Sequence, residues 1–182
     1  MKRIALLIIA LVGFVCSEAQ VVQSYEFELS AGFSGPLGGY RNGTPKSGAA
    51  IGLSLRHNIE YTPWDCGVFL NLDCAQRDFL KDGSAYYQNN RTLSIGVSGS
   101  YNFRQGSKIN PFAGLGIGVA FNDVVDNRLY PTEGKSCAFI PKIGVEFMRF
   151  IRLNAYTQIS RKGYNTYGIS IGIVIGGLPK KY

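Results

Sequence analysis

The sequence predicts an all-β protein, an eight-stranded, antiparallel, up-and-down β-barrel that crosses a membrane. Apolar and polar residues alternate with a period of two in eight successive segments, and no segment shows a sustained helical period. Long polar connections alternate with short ones along the chain. Charged residues make up only 17% of the sequence, while 23 Gly, 11 Tyr and 11 Phe favour strands over helical bundles and nucleotide-binding α/β folds.

Each strand is predicted from its own alternation. In the first strand, Tyr25, Phe27 and Leu29 alternate with Glu26 and Glu28. The fourth strand is the clearest, because apolar residues alternate with Thr, Ser, Gly and Asn over most of its length. We expect strands near residues 25–34, 49–56, 64–75, 92–103, 114–122, 139–147, 151–160 and 166–175. We expect long loops at residues 35–47, 76–90 and 123–136, and a shorter one at 161–165.

The N-terminus has the pattern of a secretory signal peptide. Lys2 and Arg3 precede an apolar run at residues 4–15, and the small residues Ser17 and Ala19 follow it. We therefore expect a cleaved signal peptide at 1–19, export through the inner membrane and a mature barrel domain at 20–182. The apolar run is shorter than the roughly 20 residues that a transmembrane helix needs. Acylation of Cys16 as a lipoprotein is the alternative, although Val15 fits that kind of site poorly.

The polar half of the alternation predicts which face points inward. A soluble, lipocalin-like barrel would bury its apolar residues and show polar residues to water, whereas a membrane barrel reverses this arrangement. Water-exposed strands are normally rich in Lys and Glu, but these positions hold mostly Gly, Ser, Thr and Asn, as in Gly114, Gly116 and Gly118. Such residues suit a lumen that is only wide enough for side chains, so we expect the apolar residues to face lipid.

The charges on the polar face are expected inside the lumen. A first hairpin centred near residue 41 places Glu26 opposite Arg56, and a tight turn at residue 149 places Glu146 opposite Arg152. Lys142 shares the same alternation. Opposite charges that face each other across strands can compensate one another in a narrow interior.

Aromatic residues gather near both sets of strand ends, as expected for two girdles at the membrane interfaces. The set near the short turns is Tyr25, Phe27, Tyr61, Trp64, Tyr101, Phe103 and Phe147. The set near the long loops is Phe33, Phe79, Phe121, Phe139, Tyr164 and Tyr167.

Three sequence stretches carry a resemblance to a known family. They are the junction at residues 17–20, the NPFAGLG strand at 110–116 and the GYNTYG segment at 163–168. With them, residues 20–182 resemble the small outer-membrane β-barrels of the OmpA/OmpX type, and more closely the short porin-family barrels of Bacteroidetes-like bacteria. The resemblance implies a Gram-negative outer membrane and insertion by the barrel-assembly machinery. These barrels commonly end on an aromatic residue that closes the last strand, whereas Pro179 and two lysines separate Tyr182 from the last alternation.

We expect no catalytic, cofactor or metal site, and hence no enzyme. His57 is the only histidine, and its position in the alternation points toward lipid. No phosphate loop or zinc spacing occurs. We expect Cys66, Cys74 and Cys137 to be small apolar residues on a buried face.

Function is expected in the envelope and at the outer loops. Removal of Lys2, Arg3 and Glu18 with the signal peptide lowers the formal net charge from +7 to +6, and for an exported protein this surplus favours anionic lipid over nucleic acid. Basic residues at the rim are expected to neutralise lipopolysaccharide phosphates: Arg41, Lys46, Arg77, Lys81, Arg161 and Lys162. Further loop residues suit adhesion or a protein partner: Tyr86, Tyr87, Arg128 and Tyr130.

The alternatives to an envelope-structure or adhesion protein come from other classes. They are a soluble periplasmic barrel that binds a small apolar ligand, a lipid-modifying membrane enzyme and an accessory subunit of an envelope complex. An open pore for nutrients is not expected, because eight strands leave a lumen filled by side chains.

Overall fold

The computed structural model describes residues 24–38, 44–81, 84–125, 134–160 and 164–176, and in these residues the chain forms a closed β-barrel. Every strand pairs antiparallel with its neighbours in sequence, and β1 pairs with β8 to close the sheet. The strands are β1 Tyr25–Pro36, β2 Thr44–Asn58, β3 Trp64–Lys81, β4 Ser84–Asn102, β5 Ile109–Val125, β6 Gly134–Phe147, β7 Ile151–Gln158 and β8 Thr166–Ile175. The predicted fold class and strand number are confirmed. A search of the described residues finds no helix long and apolar enough to cross a membrane.

At the end of the barrel where long loops were expected, several strands extend further than the sequence predicts. We call this end the long-hairpin end. The expected loop at residues 76–90 is mostly strand, because β3 and β4 pair as far as Lys81 and Ser84. In the same way, β2 begins at Thr44, β5 runs to Val125 and β6 begins at Gly134. The prediction was wrong because it followed the apolar alternation, whereas backbone pairing continues through residues 76–81 and 84–90, where apolar and polar residues no longer alternate.

The apolar half of the alternation covers the outer surface of the barrel. Val97 is 62% exposed on this surface, whereas its neighbour Ser98 is buried in the lumen. Alternating exposure runs along all of β8, from buried Thr166 to exposed Ile175. An outer apolar surface around a polar interior is the arrangement of a membrane barrel and the reverse of a soluble one. The structure therefore contradicts the alternative of a soluble barrel with an apolar interior.

A β-bulge interrupts β2 where it meets β3. The register shifts between Ser47 and Ala50, so two residues of β2 lie opposite Cys74. The hydroxyl of Ser34 on β1 reaches across and donates a hydrogen bond of 2.7 Å to the carbonyl oxygen of Cys74. Gly48 at the bulge has no room for a β-carbon, since that atom would collide with the same carbonyl group. The bulge is thus held by a side chain from the next strand.

Candidate functional site: the lumen and the outer rim

Charged side chains from five strands meet in the lumen, nearer to the end of the barrel where the short turns lie. In the described part of the chain, this charge cluster contains one more carboxylate than cation. Its members are Glu26 and Glu28 on β1, Arg56 on β2, Asp65 on β3, Lys142 and Glu146 on β6, and Arg152 on β7. Burial of so many charges is tolerated only where they compensate one another.

Arg56 is the centre of the charge cluster. Its Nη2 atom lies 2.9 Å from Glu26 Oε2, 3.6 Å from Glu146 Oε2 and 3.9 Å from Glu28 Oε2. Its Nη1 atom lies 3.8 Å from Asp65 Oδ2. The register places Glu26 directly opposite Arg56, which is the pairing that the sequence predicts. One guanidinium group is therefore shared by four carboxylates.

Arg152 compensates the same carboxylates from the other side. Its Nη1 atom lies 3.8 Å from Glu146 Oε2, and its Nε atom lies 3.9 Å from Glu28 Oε2. Glu146 and Arg152 face each other in the register, as predicted. The guanidinium carbon of Arg152 lies 3.6 Å from the ring centroid of Phe112, in cation–π geometry. Gly144 lies beside that ring, where any β-carbon would collide with it.

The sequence prediction missed three members of this arrangement. Glu28 and Asp65 share the inward alternation of their strands, so the alternation itself could have identified them. Phe112 is buried in the lumen although it is aromatic. It occupies an inward position between Asn110 and Gly114, and only that position could have identified it.

Amides close the short-turn end of the lumen. Asn102 donates a hydrogen bond of 2.8 Å from Nδ2 to Asp65 Oδ2, and Asn110 donates one of 3.1 Å to Asn102 Oδ1. Gln105, in the turn after β4, donates a hydrogen bond of 3.3 Å to Asn58 Oδ1. A cavity of about 10 Å³ remains here, which we call the mouth cavity, and Glu26, Glu146 and these amides line it. It has the volume of about one water molecule.

A larger cavity lies deeper in the lumen, on the other side of the charge cluster. This central cavity has a volume of about 60 Å³, and its lining includes Glu28, Asn71, Lys142, Asn154 and Tyr156. The amide of Asn154 donates a hydrogen bond of 2.9 Å to Glu28 Oε1. The central cavity is therefore polar and holds groups of both charges.

Hydrogen-bonded pairs fill the lumen toward the long-hairpin end. The hydroxyl of Tyr156 donates to Asp73 Oδ1, and Gly168 beside it leaves the room that the tyrosine ring needs. Ser94 donates a hydrogen bond of 2.8 Å to Gln158 Oε1. The hydroxyl of Thr92 donates to Asn122 Oδ1 over 3.2 Å. These filled layers lie on the long-hairpin side of the central cavity, and the charge cluster lies between the central cavity and the mouth cavity.

Aromatic side chains lie on the outer surface at both ends of the apolar band. At the short-turn end, Tyr101 packs edge-on against Trp64 and Phe103, with ring centroids 5.1 Å apart in both pairs. Tyr25 and Phe27 are exposed at the same end. The exposed aromatic residues of the opposite end include Phe121, Phe139 and Tyr167.

Tyr164 does not lie in the outer aromatic girdle that the sequence predicts for it. Its side chain is 1% exposed. It shares the even-numbered, inward positions of Thr166 and Gly168, which explains its burial.

The histidine and the cysteines lie apart from the charge cluster. His57 stacks on Tyr25 with ring centroids 4.7 Å apart, and its Nδ1 atom lies 2.9 Å from the carbonyl oxygen of Ser24. Cys66 and Cys137 are exposed on the outer surface, not on a buried face as predicted, because odd positions of β6 and even positions of β3 point outward. The described residues contain no group of three or more His, Cys, Asp or Glu placed to hold a metal ion.

The outer rim is formed by charged residues just above the aromatic girdle that contains Phe121: Lys46, Asp78, Arg91, Asp123 and Lys135. Lys46 forms an ion pair with Asp78, and hydrogen bonds from Lys46 and Gln76 lower the pKa of Asp78. Two further contacts complete the outer rim: Arg91 Nη2 lies 3.5 Å from Asp123 Oδ2, and Lys135 Nζ lies 5.5 Å from the ring centroid of Phe121. The sequence prediction included Lys46 but missed Arg91 and Lys135.

The other predicted loop residues fall into two groups. Four of them lie on strands, because β3 and β4 extend beyond the barrel wall: Arg77, Lys81, Tyr86 and Tyr87. The remaining five lie outside the described residues: Arg41, Arg128, Tyr130, Arg161 and Lys162. The expected signal peptide at 1–19 also lies outside them.

Comparison with solved structures finds small barrels of bacterial outer membranes. The chain is similar to the Neisserial surface protein NspA, with a TM-score of 0.56 and 15% identity over 86% of this chain and 99% of that chain. It is equally similar to OprG of Pseudomonas aeruginosa, with a TM-score of 0.56 and 14% identity over 88% of this chain and 100% of that chain. Ail of Yersinia pestis, solved with the heparin analogue sucrose octasulfate, has a TM-score of 0.50 and 13% identity over 84% and 99% of the two chains.

Comparisons of the sequence itself found nothing similar. No protein-family model matches the chain, and no curated protein matches it. The structural likeness therefore shows the fold, which is that of the small eight-stranded outer-membrane barrels.

Proposed function

We propose that the chain is an integral outer-membrane β-barrel protein without enzymatic activity, whose outer hairpins make contacts at the cell surface. The observation that carries this proposal is the division of the molecule into a filled lumen and long hairpins at one end. A lumen crossed by hydrogen-bonded layers and a charge cluster is unsuited to nutrient diffusion, which leaves the outer end as the region of contact.

The β3–β4 hairpin supports a role in surface contact. The last pair of β3 with β2 joins Asp78 to Thr44, and the last pair of β4 with β5 joins Asn89 to Val125. Beyond these pairs, within the described residues, β3 and β4 pair only with each other up to Lys81 and Ser84. The hairpin therefore projects past the described ends of β2 and β5 as a two-stranded ribbon.

The charge of the outer rim suggests which molecules it contacts. Lys46, Arg91 and Lys135 supply three cations against the two carboxylates Asp78 and Asp123. Cations just above an aromatic girdle lie at the level of lipid phosphates, and lipopolysaccharide carries phosphate at that level. Ail, which has a similar fold, was solved with a polysulfated sugar. We propose that the cations of the rim and of the hairpins bind the phosphate groups of lipopolysaccharide, and that the tyrosines Tyr86 and Tyr87 of the ribbon serve a protein partner.

Biogenesis follows from the same proposal. Residues 1–19 would direct export and be removed, and the barrel-assembly machinery would insert residues 20–182 into the outer membrane. Fractionation of cell envelopes and mass spectrometry of the mature N-terminus test both statements. Recovery in the soluble periplasm, or a retained N-terminus, would contradict them.

A binding experiment tests the contact chemistry. Six residues are replaced by Gln together: Arg41, Lys46, Arg77, Lys81, Arg161 and Lys162. We expect weaker capture of the purified barrel by lipopolysaccharide, and a binding constant that falls with added salt in the parent protein. The matched control replaces Arg104 and Lys108, cations of a short turn at the other end of the barrel. Equal binding by the parent and the six-residue variant would refute the role of those six cations, and equal binding after Arg91 and Lys135 are also replaced by Gln would refute the proposal.

A further inference from the structure

The two cavities of the lumen lie on opposite sides of the charge cluster, and carboxylates from the cluster line both of them. Glu28 lines the central cavity, while Glu26 and Glu146 line the mouth cavity. All three have a carboxylate oxygen within 3.9 Å of the same atom, Arg56 Nη2. The two cavities are thus separated by a single layer of ionisable groups.

Both cavities suit water. By volume, about 60 Å³ corresponds to roughly four to six molecules in the central cavity and about 10 Å³ to one in the mouth cavity, at 10–15 Å³ each. Polar atoms in this region also need partners: Arg152 Nε, Nη1 and Nη2 and Asp65 Oδ1 are buried without a hydrogen bond to any described residue. Bound water commonly satisfies such atoms in protein interiors.

Dissolved ions cannot cross the layer between the two cavities in the way that a proton can. The layer between the cavities contains two guanidinium groups and several carboxylates that are already in contact, with Arg152 also stacked on Phe112. An ion that crossed this layer would have to break those pairs and lose its own hydration shell, which is costly in a narrow interior. A proton crosses by changing which carboxylate holds it, and this requires no displacement of the side chains.

We propose that the lumen is a relay that conducts protons between its two ends and excludes other ions and solutes. In the central step, a hydronium ion in the central cavity gives its proton to Glu28, forming an O–H bond and leaving water. The proton then passes, directly or through one water molecule, to Glu146 or Glu26 beside Arg56 Nη2. Release to water in the mouth cavity restores the ionised carboxylate, so no other reactant is needed.

The relay continues toward the long-hairpin end through Tyr156 and Asp73. Tyr156 lines the central cavity and donates its hydroxyl hydrogen to Asp73 Oδ1. The second oxygen, Asp73 Oδ2, is buried and has no hydrogen-bond partner among the described residues. This carboxylate can therefore take up a proton on Oδ2. A half-turn of the carboxyl group then brings that O–H bond to the Tyr156 oxygen, which accepts the proton as Tyr156 releases its own hydroxyl proton to water in the central cavity, so that Asp73 is ionised again. Of the three cations in the charge cluster, Lys142 is the one that lines the central cavity.

Proton flux into vesicles tests the relay. The full-length mature barrel is reconstituted in phospholipid vesicles that contain the pH-sensitive dye pyranine, with potassium and valinomycin to clamp the membrane potential. After an external pH step, we expect faster internal acidification than in protein-free vesicles. We expect Glu28→Gln and Tyr156→Phe to lose this additional flux and Asp123→Asn to keep it. Asp123 is a matched control, because its carboxylate lies at the outer rim and not in the lumen.

Each outcome of this experiment either supports or overturns the proton relay. Acidification no faster than in empty vesicles, or equal in the parent and Glu28→Gln proteins, overturns the relay. Chloride or sugar entry that accompanies proton entry overturns the exclusion of other solutes. Each variant is first checked for a mobility shift on boiling, which reports a folded barrel. If Glu28→Gln does not fold, Tyr156→Phe decides, since it removes one hydroxyl group and leaves the charge cluster intact.

Discussion

Arg152 lies between Phe112 and Glu146, with its guanidinium carbon 3.6 Å from the centroid of the Phe112 ring and its Nη1 atom 3.8 Å from the carboxylate of Glu146. The aromatic face shields one side of the cation, so its charge is directed toward the carboxylates of the cluster. A residue that the sequence marks as apolar thus helps to hold a buried charge.

Replacing Arg152 by Met should destabilise the barrel strongly. Glu146 and Glu28 would lose a compensating cation, and breaking a buried ion pair in this way costs about 3–5 kcal/mol. Arg152→Lys keeps the charge but loses the planar stack on Phe112, so its loss should be smaller. Urea unfolding in detergent micelles, followed by tryptophan fluorescence of Trp64, measures both. Equal stability of the Met variant and the parent would contradict this account of the charge cluster.

Ser34 should stabilise the β2 bulge. Ser34→Ala removes the hydroxyl that donates to the carbonyl oxygen of Cys74, and an unsatisfied buried acceptor costs about 1–3 kcal/mol. Ser30→Ala is the matched control, because its hydroxyl makes a longer hydrogen bond of 3.4 Å on the same strand. The free energy of unfolding should fall more for Ser34→Ala, and the reverse order would exclude this role of the hydroxyl.

An arginine on the outer surface should oppose folding into the membrane most strongly when it lies near the bilayer midplane. Val97 is exposed on β4 within the apolar band, and Arg near the bilayer midplane of a barrel costs about 2–4 kcal/mol. Tyr101→Arg, in the girdle on the same strand, should cost less because the interface is hydrated. The folded fraction in vesicles, read from the mobility shift on boiling, checks the order. A tolerated Val97→Arg would contradict the assignment of this surface to lipid.

In the lumen, substitution of Gly116 should couple energetically to the aromatic residue beside it, Phe69. A β-carbon at Gly116 would lie 2.9 Å from Phe69 Cε1, so Gly116→Ala should be destabilising by about 1–3 kcal/mol through overpacking. Phe69→Leu makes room, and the double variant should lose less than the sum of the single losses. Additive losses in a double-mutant cycle would show that the two side chains do not compete for space.

The ion pair at the outer rim should depend on pH in one direction. Because hydrogen bonds from Lys46 and Gln76 lower the pKa of Asp78 in the folded state, protonation of Asp78 opposes folding. The contribution is present above the pKa of Asp78 in the unfolded chain and is lost as pH falls through its lower folded value. An NMR titration should give a higher midpoint for Asp78 in Lys46→Gln than in the parent. An unchanged midpoint would show that Lys46 does not act on Asp78.

The sequence predicted the strands and their faces better than it predicted the side-chain contacts inside the lumen. Alternation assigned the faces of the strands. Centring the first hairpin near residue 41 placed Glu26 opposite Arg56, and centring a tight turn at residue 149 placed Glu146 opposite Arg152. It could not show that all four residues share one cluster, because β1 and β6 meet only across the closed lumen. Strand ends were misjudged at the long hairpins, since a polar strand above the membrane has no apolar pattern.

The pairing of β1 with β8 makes completion of the barrel an all-or-none event. Seven seams join strands that are neighbours in sequence and can form locally as hairpins, but Phe27 meets Ile175 only when both ends of the described barrel are present. Loss of β8 would not yield a smaller barrel. It would leave the backbone groups of β1 and β7 that pair with β8 without partners in lipid, where no water can bond them. Because that open edge is costly in free energy, the chain is stable in the membrane only once the last strand, β8, has paired.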